Sequence, residues 1–520
     1  MKKNIKVYSD GNYVDKQINY IPFRYIMAIL ITLLEVVAII AVVALMAVYI
    51  PYFYIALILT QFVSIVLIVV SSGTPDYKLT WLFFVVVLPL IGLMLFFIFH
   101  KRRLPKKYIK RLNNLHDSYE YDDKANYNTI NDELIISQAK SLCFTSGSHL
   151  YKNTAIEYYS LGEDLHKAML AELKKAKKFI FLEYFIIEQG AFWDSLLEVL
   201  IEKAKVGVEV KLVYDDVGCM STLPGDYYKK LYKKYKIQTV LFSKLKGQAD
   251  AEFNNRSHRK ILVVDGQVGF TGGVNIADEY INQNDRLGHW KDTGVKIEGK
   301  AVNELTKLFL TDFYLNAKKF AAINFNKYYI AKKTVDKNNF VIPFGDGPKP
   351  IYEHSVGKLA IMNMLNQARK YVYITTPYLI VDDEMFQALK NTAMRCVDIK
   401  IIVPHIPDKK LVFGMTKNTY RQLIKWGVKV YEYTPGFIHA KSYVADDNLA
   451  IIGTINLDYR SLSHHFENGI WIYNDKAVFD MKQDFINTLN VSEYMNEKTF
   501  KDGIFSKFVN VLVKIFAPLL

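Results

Sequence analysis

Apolar residues are concentrated in three long runs near the start of the chain. They occupy residues 25–50, 55–70 and 79–99, and only Glu35 interrupts the first run. Each run approaches the ~20 residues that a helix needs to cross a bilayer. The runs are too long for a cleaved signal peptide, and no small-residue cleavage site follows the first. The pattern predicts two or three transmembrane helices within residues 1–103.

From residue 156 onward, segments with helical periodicity alternate with short apolar strands. The predicted helices span residues 165–177, 193–205, 356–369 and 384–394. The predicted strands span residues 179–186, 208–214, 371–378 and 397–403. This alternation predicts an α/β fold, in which each half of the chain is a mixed sheet with helices packed on its faces.

Two further segments flank this α/β region. Residues 104–140 are polar and predict a connector with helical parts. In residues 503–520, apolar positions recur at helical spacing with Lys507 and Lys514 between them, which predicts an amphipathic helix. Such a helix could lie on a membrane or dock against the rest of the protein.

Charge adds an orientation to this picture. The formal net charge is +14 although 51% of the residues are hydrophobic. Basic residues precede the first apolar run and follow the third at 100–107, which places both flanks on the cytoplasmic side and favours an even number of crossings. Cys143, Cys219 and Cys396 form no C-x-x-C pair, which argues against a disulfide framework or a zinc site and fits a reducing compartment.

One pattern, H-x-K-x4-D-x6-G-[GT]-x-N, occurs twice in the chain. The first copy contains His258, Lys260, Asp265, Gly272 and Asn275. The second copy contains His439, Lys441, Asp446, Gly453 and Asn456 at identical spacing. Agreement at five fixed positions is not expected by chance, so the two copies indicate an internal repeat that carries chemistry.

The doubled pattern is suited to phosphoryl chemistry. On a strand, a histidine and a lysine two positions apart point to the same face. Two such units could flank one phosphorus atom, with one histidine attacking and the other acting as general acid and base. Lys260 and Lys441 would neutralise the phosphoryl oxygens, and Asn275 and Asn456 would meet the anion at the glycine turns. These groups supply the electrostatics, so we expect no metal and no cofactor.

Each imidazole also needs a carboxylate to fix its tautomer. Asp292 and Glu467 lie at similar distances downstream of their motifs and are the candidates. Glu183 interrupts an apolar predicted strand, and it either lines the pocket or is a satisfied structural acid.

The doubled pattern resembles the phospholipase D superfamily, and its flanks are similar to those of bacterial cardiolipin synthases. The stretches that carry this likeness are NNRSHRK at 254–260 and NLDYRS at 456–461. The resemblance extends from about residue 73 to the C-terminus. Ser257 and His465 stand where the family more often has Asn, and Phe313 where it usually has Trp.

The resemblance implies a covalent phosphohistidine mechanism. His258 would be the nucleophile and His439 the general acid and base, with Asp292 and Glu467 orienting the two rings. Asp265 and Asp446 complete the catalytic motifs, but we expect them to be structural hydrogen-bonding partners and not proton carriers.

The resemblance also implies two tandem phospholipase D-like domains related by a pseudo-two-fold axis, at 151–335 and 336–498. A membrane region (1–103) and a connector (104–150) precede them, and the C-terminal helix (499–520) follows. The two halves are expected to pack sheet-edge to sheet-edge, with both motifs in one cleft.

The implied function is a multi-pass cardiolipin synthase of the bacterial plasma membrane with cytoplasmic catalytic domains. It would transfer a phosphatidyl group from one phosphatidylglycerol to another and release glycerol. The basic surface suits anionic membrane lipids as partners, nucleic acid is not expected, and the oligomeric state is open. A phospholipase D-type hydrolase or another head-group transferase would share the first half-reaction. A non-catalytic membrane scaffold is disfavoured because both motifs are complete.

Overall fold

The structure is a computed structural model that describes residues 2–9, 12–19, 23–46, 50–71, 75–99, 112, 127–245, 255–317, 325–329 and 337–497. The chain forms two compact units. The first comprises residues 1–103, 245–254 and 504–520, and the second comprises residues 104–244 and 255–503. The predicted helix at 503–520 and the basic stretch at 100–107 lie outside the described residues and stay predictions.

The first unit begins with an antiparallel hairpin that the apolar pattern did not predict, and helices follow it. These elements are β1 (Lys2–Ser9), β2 (Asn12–Asn19), α1 (Phe23–Met46), α2 (Ile50–Val70), α3 (Pro75–Val87) and α4 (Pro89–Phe99).

The third apolar run forms two helices, α3 and α4, and not the single helix that was predicted. Pro89 lacks a backbone N–H and interrupts the helical ladder. The chain then folds back, since the rings of Trp81 and Phe96 lie 5.7 Å apart. In a continuous helix these two residues would be separated by about 22 Å. Neither α3 nor α4 alone reaches the ~20 residues of a span.

Tyr52–Val70 is the one helix, within the described residues, that is long and apolar enough to cross a membrane by length and composition. Its apolar side chains are mostly exposed, including Ile58, Phe62 and Val70. The other apolar helical segments, Ile29–Ala44 and Pro89–Ile98, are shorter. The described residues therefore support one candidate span, and the predicted two or three crossings are not supported.

The second unit contains the α/β region. Its strands are β3 (Tyr151–Lys152), β4 (Ala155–Tyr159), β5 (Phe179–Tyr184), β6 (Glu209–Asp215), β7 (Gln238–Phe242), β8 (Ile261–Val264), β9 (Val268–Gly272), β10 (His289–Lys291), β11 (Gly294–Glu298), β12 (Phe340–Asp346), β13 (Tyr371–Thr375), β14 (Leu379–Ile380), β15 (Asp398–Pro404), β16 (Lys429–Tyr433), β17 (Gly436–Ile438), β18 (Ser442–Ala445), β19 (Leu449–Gly453), β20 (Leu457–Asp458), β21 (Glu467–Tyr473) and β22 (Ser492–Met495). Its helices are α5 (Glu133–Ser146), α6 (Gly162–Lys175), α7 (Ala191–Lys205), α8 (Tyr227–Tyr235), α9 (Val302–Asn316), α10 (Val356–Gln367), α11 (Asp383–Met394), α12 (Lys410–Ile424), α13 (Tyr459–Ser463) and α14 (Lys476–Leu489).

The strands form two large mixed sheets. The seven-stranded sheet has the order β4-β11-β9-β8-β5-β6-β7, and the nine-stranded sheet has the order β22-β16-β15-β13-β18-β19-β21-β12-β3. In the first sheet β5, β6 and β7 are parallel, and the β8–β9 hairpin is antiparallel to β5. In the second sheet β13, β15 and β16 are parallel, and the β18–β19 hairpin is antiparallel to β13. The predicted α/β class with mixed sheets is confirmed.

The two sheets share one apolar core, which also contains residues of α9 and α14. Along β8, Ile261 and Val263 point into this shared core, and the alternate residues Leu262 and Val264 point to the opposite face, which α6 and α7 cover. In the second sheet, Ile452 of β19 points into the same shared core. The predicted edge-to-edge packing is therefore wrong, because β8 and β19 are central strands whose two faces are both apolar.

The described part of the predicted connector packs against the second sheet. Helix α5 confirms that this segment is partly helical, and it buries Ile135, Ala139 and Leu142 in one cluster with Phe344 and Trp471. Strand β3, at the start of the predicted first domain, pairs with β12 of the second sheet.

Candidate active site

The first motif lies directly before β8, in extended chain alongside the start of β21. His258 donates its backbone N–H to the carbonyl of Phe466 (2.8 Å), and Phe466 donates to the carbonyl of Arg256 (2.9 Å). The strand itself spans Ile261–Val264, so the histidine and the lysine lie in extended chain just before it. Nζ of Lys260 donates to the carbonyl of His258 at 2.8 Å.

The second motif has equivalent contacts between β17 and β18. His439 donates its backbone N–H to the carbonyl of Lys291 at 2.7 Å. Nζ of Lys441 donates to the carbonyl of His439. All four motif side chains, those of His258, Lys260, His439 and Lys441, are buried.

Each motif histidine is paired with a carboxylate from the other half of the chain. Nδ1 of His258 lies 2.9 Å from the Glu467 carboxylate, and Nδ1 of His439 lies 2.6 Å from Asp292. An ionised carboxylate only accepts hydrogen bonds, so Nδ1 of His258 carries the proton and its Nε2 keeps the lone pair. Nδ1 of His439 lies between the Asp292 carboxylate and Nζ of Lys441, which is 2.8 Å away. The structure thus brings both predicted carboxylates to the histidines, in a crossed arrangement.

The two copies of the motif support their carboxylates differently. Glu467 also accepts hydrogen bonds from Oγ of Ser461 (2.6 Å) and from the Thr454 hydroxyl. In the first copy Gly273 stands at the position of Thr454, and a Cβ there would lie 2.1 Å from the Asp292 carboxylate. At this motif position, Gly273 therefore leaves room for Asp292 in the first copy, and Thr454 supplies a hydroxyl to Glu467 in the second.

Burial sets the charge of the histidines and carboxylates. It lowers the pKa of His258 to about 3 and that of His439 to about 4, so both rings are neutral at neutral pH. Burial opposes ionisation of Glu467, but the attraction of His258 and its hydrogen bond hold that pKa well below its usual range. In the same way Lys441 and His439 outweigh burial and lower the pKa of Asp292.

The two lysines repel each other in this buried site. Burial, followed by the charge of Lys441, lowers the pKa of Lys260 to about 7. Burial lowers the pKa of Lys441 to about 8, with Asp292 and Glu467 opposing the shift. Both ammoniums are therefore close to titration at neutral pH.

The motif aspartates lie away from the histidines, each at the far end of the strand that follows its motif. Asp265 accepts the backbone N–H groups of residues 177–179 at 2.7–2.9 Å. Asp446 accepts those of residues 369–371 at 2.7–3.0 Å. These contacts are structural, as expected, and they do not support counting either aspartate among the catalytic residues.

The motif asparagines are also held by the protein. Oδ1 of Asn275 accepts from the backbone of Ile186 (3.3 Å), and its Nδ2 donates to the Tyr280 hydroxyl (2.7 Å). Oδ1 of Asn456 is buried and has no hydrogen-bond partner in the described parts of the chain. Phosphate binding by these amides stays a prediction.

A buried polar network lies behind His258 and includes Glu183. The Ser257 hydroxyl donates to Oε1 of Glu183 at 2.6 Å, and Arg259 donates to Asp312 at 2.7 Å. Burial and the charge of Asp312 raise the pKa of Glu183 well above its usual value. Oε2 of Glu183 is buried and has no hydrogen-bond partner among the described residues, so both alternatives for this residue stay open. Sequence reasoning missed Asp312, because only the fold brings the two residues together.

Sequence reasoning also missed the aromatic walls of the site. The ring of Phe185 contacts His258 edge-on at 5.2 Å between centroids. Tyr280 and Trp290 contact His439 at 5.3 and 5.8 Å. Phe185 directly follows β5, Tyr280 lies in a 3-10 helix (Asp278–Ile281), and Trp290 lies on the three-residue strand β10.

One further histidine lies beside the first pair. His258, His465 and Glu467 each offer a ligand atom, and these atoms lie within 4.8 Å of one another. The sequence predicted no metal ligands, so this cluster is a feature that the fold assembles.

Comparisons with known proteins match this geometry. The family profile described as "Cardiolipin synthase, PLD-like domain" matches residues 169–312 and 361–489. The chain is 42% identical over 450 residues to an uncharacterized protein of Streptococcus mutans, which covers 85% of this chain and 96% of that protein.

Relatives with assigned names show the same likeness. The cardiolipin synthase of Clostridium perfringens is 31% identical over 463 residues, covering 87% of this chain and 96% of the relative. Cardiolipin synthase 1 of Staphylococcus aureus is 32% identical over 464 residues, covering 86% and 93%. Among solved structures, the phosphatidylserine synthase of Haemophilus influenzae is similar in fold, with a TM-score of 0.57 and 17% identity over 73% of this chain and 97% of that chain.

Proposed function

Because the chain belongs to the phospholipase D-like cardiolipin synthase family and is a phosphatidyltransferase, we propose that it makes cardiolipin through a phosphohistidine at His258. One phosphatidylglycerol would donate its phosphatidyl group and a second would accept it. The observation that carries the proposal is the crossed pairing of His258 with Glu467 and of His439 with Asp292.

In the first half-reaction, Nε2 of His258 attacks the phosphorus of phosphatidylglycerol. A P–N bond forms, the P–O bond to glycerol breaks, and His439 gives a proton to the departing glycerol oxygen. Glu467 supports this step by holding the proton on Nδ1, which leaves the Nε2 lone pair free. Entry of the anionic phosphodiester raises the pKa of His439, so that this ring can act as the acid.

In the second half-reaction, the hydroxyl of another phosphatidylglycerol attacks the same phosphorus. His439 takes the hydroxyl proton, the new P–O bond forms, and the P–N bond to His258 breaks. Lys260 and Lys441 would neutralise the charge that develops on the phosphoryl oxygens in both steps. The Asn456 amide, whose Oδ1 has no hydrogen-bond partner among the described residues, would donate from its Nδ2 to the same oxygens.

The crossed contacts also support a tandem architecture with a pseudo-two-fold axis through the site. Each motif histidine donates its backbone N–H to the residue before the opposing carboxylate, Phe466 or Lys291. We assign the tandem domains to 151–335 and 336–498, with 1–103 as the membrane region, 104–150 as the connector and 499–520 as the terminal helix.

A lipid substrate fits the remaining features. The net charge of +14 favours anionic lipids, and the exposed apolar helix Tyr52–Val70 would hold the protein at the bilayer. The basic stretch at 100–107 lies next to the catalytic region in the sequence, and by the positive-inside rule it favours a cytoplasmic site. The aromatic residues Phe185, Tyr280 and Trp290 would limit water around the intermediate and so favour a lipid alcohol as acceptor.

Product analysis tests this function. The purified full-length protein in detergent is given phosphatidylglycerol alone, beside His258→Ala and His439→Ala variants, and the lipids are analysed by mass spectrometry. We expect cardiolipin and free glycerol from the wild type and neither from the variants. Phosphatidic acid as the main product would show that the protein is a hydrolase and not a transferase. Equal turnover in a histidine variant would contradict the proposed site.

A further inference from the structure

A third imidazole reaches the proposed nucleophile and its carboxylate. His465 lies at the bend between α13 and β21, with Nδ1 3.6 Å from Glu467 and its ring centroid 5.6 Å from that of His258. Its side chain is 12% exposed. Nδ1 is buried and has no hydrogen-bond partner among the residues that the structure describes. Nδ1 of His465 therefore makes no hydrogen bond within the described residues, although the ionised Glu467 carboxylate lies close to it.

We propose that His258, His465 and Glu467 form an inhibitory site for a borderline-soft divalent cation such as Zn²⁺. Two imidazoles and one carboxylate are a ligand set that Zn²⁺ prefers, with the fourth position left to water. Metal–ligand distances of about 2.0–2.2 Å put tetrahedral ligand atoms roughly 3.4 Å apart. Oε1 of Glu467 lies 3.0 Å from Nδ1 of His258 and 3.6 Å from Nδ1 of His465, and these two separations bracket that spacing.

The surroundings hold these ligands in place. Ser461 and Thr454 donate hydroxyl hydrogen bonds to Glu467, as outer-shell groups commonly do for a ligating carboxylate. The backbone N–H of His465 donates to the carbonyl of Arg460 at 2.9 Å, which fixes the bend that carries the ring. The nearby Lys260 ammonium opposes a second cation, so we expect weaker binding than at a structural zinc site.

Metal binding would block the reaction through the tautomer of His258. In the resting site Nδ1 carries the proton and Nε2 has the lone pair that attacks phosphorus. A cation on Nδ1 needs that lone pair, so the Nδ1 proton is released and the single ring proton resides on Nε2. Nε2 then has no lone pair for phosphorus. The inhibition rests on the proposed role of His258, whereas the binding itself does not.

The test compares the full-length wild type with His465→Asn, which leaves the proposed catalytic groups in place, and with His464→Asn as a matched control. Each protein is stripped with a chelator, and zinc chloride is titrated against a chromophoric zinc indicator. In parallel, cardiolipin formation is measured over the same zinc range, with magnesium chloride as the hard-cation control. Loss of an outer-shell partner alone typically costs about 10- to 100-fold in metal affinity. Loss of the direct ligand His465 should therefore weaken zinc binding at least about tenfold.

We expect one zinc per wild-type chain, inhibition by zinc but not by magnesium, and at least a tenfold shift of both curves in His465→Asn only. Equal zinc binding by the wild type and His465→Asn would overturn the site. If zinc binding is weakened in His465→Asn as expected but zinc does not inhibit the wild type, the site would be upheld and its inhibitory role overturned. An inactive wild type that still binds zinc through His465 would count against the proposed function alone.

Discussion

At the scale of single residues, burial determines which groups of the site carry charge. His258 and His439 are neutral because the charged imidazole is poorly solvated there. Lys260 and Lys441 are held near their titration points by burial. The negative charge of a bound phosphodiester would therefore stabilise the ammonium forms of Lys260 and Lys441.

This arrangement predicts an alkaline limit to activity. Below its pKa each lysine is an ammonium, and above it the lysine is neutral and no longer offsets phosphate charge. With pKa values of about 7 for Lys260 and about 8 for Lys441, kcat/KM should fall as pH rises through this range. The fall in kcat should come at higher pH, because bound phosphate raises both pKa values. Rates measured between about pH 6 and about pH 9 test this, and a constant kcat/KM would contradict it.

A second prediction at this scale concerns Glu183. The pKa of Glu183 is raised in the folded state. At a pH below its unfolded-state pKa, the carboxyl is protonated in both states, so this group does not make the free energy of unfolding depend on pH. As pH rises further, the unfolded state ionises first and the wild type loses stability. Glu183→Gln, which can still donate to Asp312 and accept from Ser257, should therefore gain thermal stability relative to wild type as pH rises. A stability difference that does not change between about pH 5 and about pH 8 would show that Glu183 is ionised in the fold.

At the scale of elements, each motif aspartate connects the end of one strand to the start of a neighbouring strand. Asp265 follows β8 and binds the amides that begin β5. Asp446 follows β18 and binds those that begin β13. Both adopt positive φ angles, 51° and 52°, which Asp tolerates better than most residues.

These contacts predict that Asp265→Ala costs stability and not chemistry. Hydrogen bonds to charged groups contribute about 1.5–3 kcal/mol, and partial exposure of these amides reduces the expected loss to about 1–2 kcal/mol. Asp265→Asn should lose less, because one side-chain oxygen remains to accept. Thermal unfolding measures the loss, and cardiolipin formation at a permissive temperature should stay within about threefold of wild type. A loss of activity without a loss of stability would restore a catalytic role for Asp265.

The comparison of sequence and structure also belongs at this scale. Periodicity located four helices and four strands of the α/β region, because each of these strands is apolar and each of these helices has one apolar face. The same apolar content misled the prediction for residues 79–99, where Pro89 divides one predicted span into α3 and α4. The doubled motif identified both histidines and both lysines. The sequence also identified Asp292 and Glu467, but not which histidine each of them contacts, because that depends on how the two halves of the chain pack together.

At the scale of the whole second unit, Arg259 joins groups from both sheets. Its Nε donates to the carbonyl of Glu467 in β21 (3.1 Å), and Nη2 donates to that of Asp346 in β12 (3.3 Å). Nη1 of Arg259 lies 2.7 Å from Asp312 on α9, and this helix packs against the first sheet. The segment that carries the proposed nucleophile is thus tied to the strand that supplies the carboxylate beside it.

Arg259→Ala should destabilise the unit strongly, because it leaves the Asp312 charge buried and unpaired. Breaking a buried ion pair on one side typically costs about 3–5 kcal/mol. The double variant Arg259→Ala/Asp312→Asn removes that charge and should recover part of the loss. Thermal unfolding of wild type, single and double variants measures both effects. A double variant that is no more stable than the single would show that packing, and not the unpaired charge, sets the cost.

The most direct test of the account is to trap the intermediate on His258. A phosphatidyl ester of p-nitrophenol, labelled at phosphorus, has a leaving group that needs no proton from His439. In His439→Asn the first half-reaction should proceed and the second should stall. We predict a burst of one p-nitrophenolate per site and acid-labile label on the peptide that contains His258, both absent in His258→Asn. Label on another residue, or an undiminished burst in His258→Asn, would contradict the phosphohistidine mechanism.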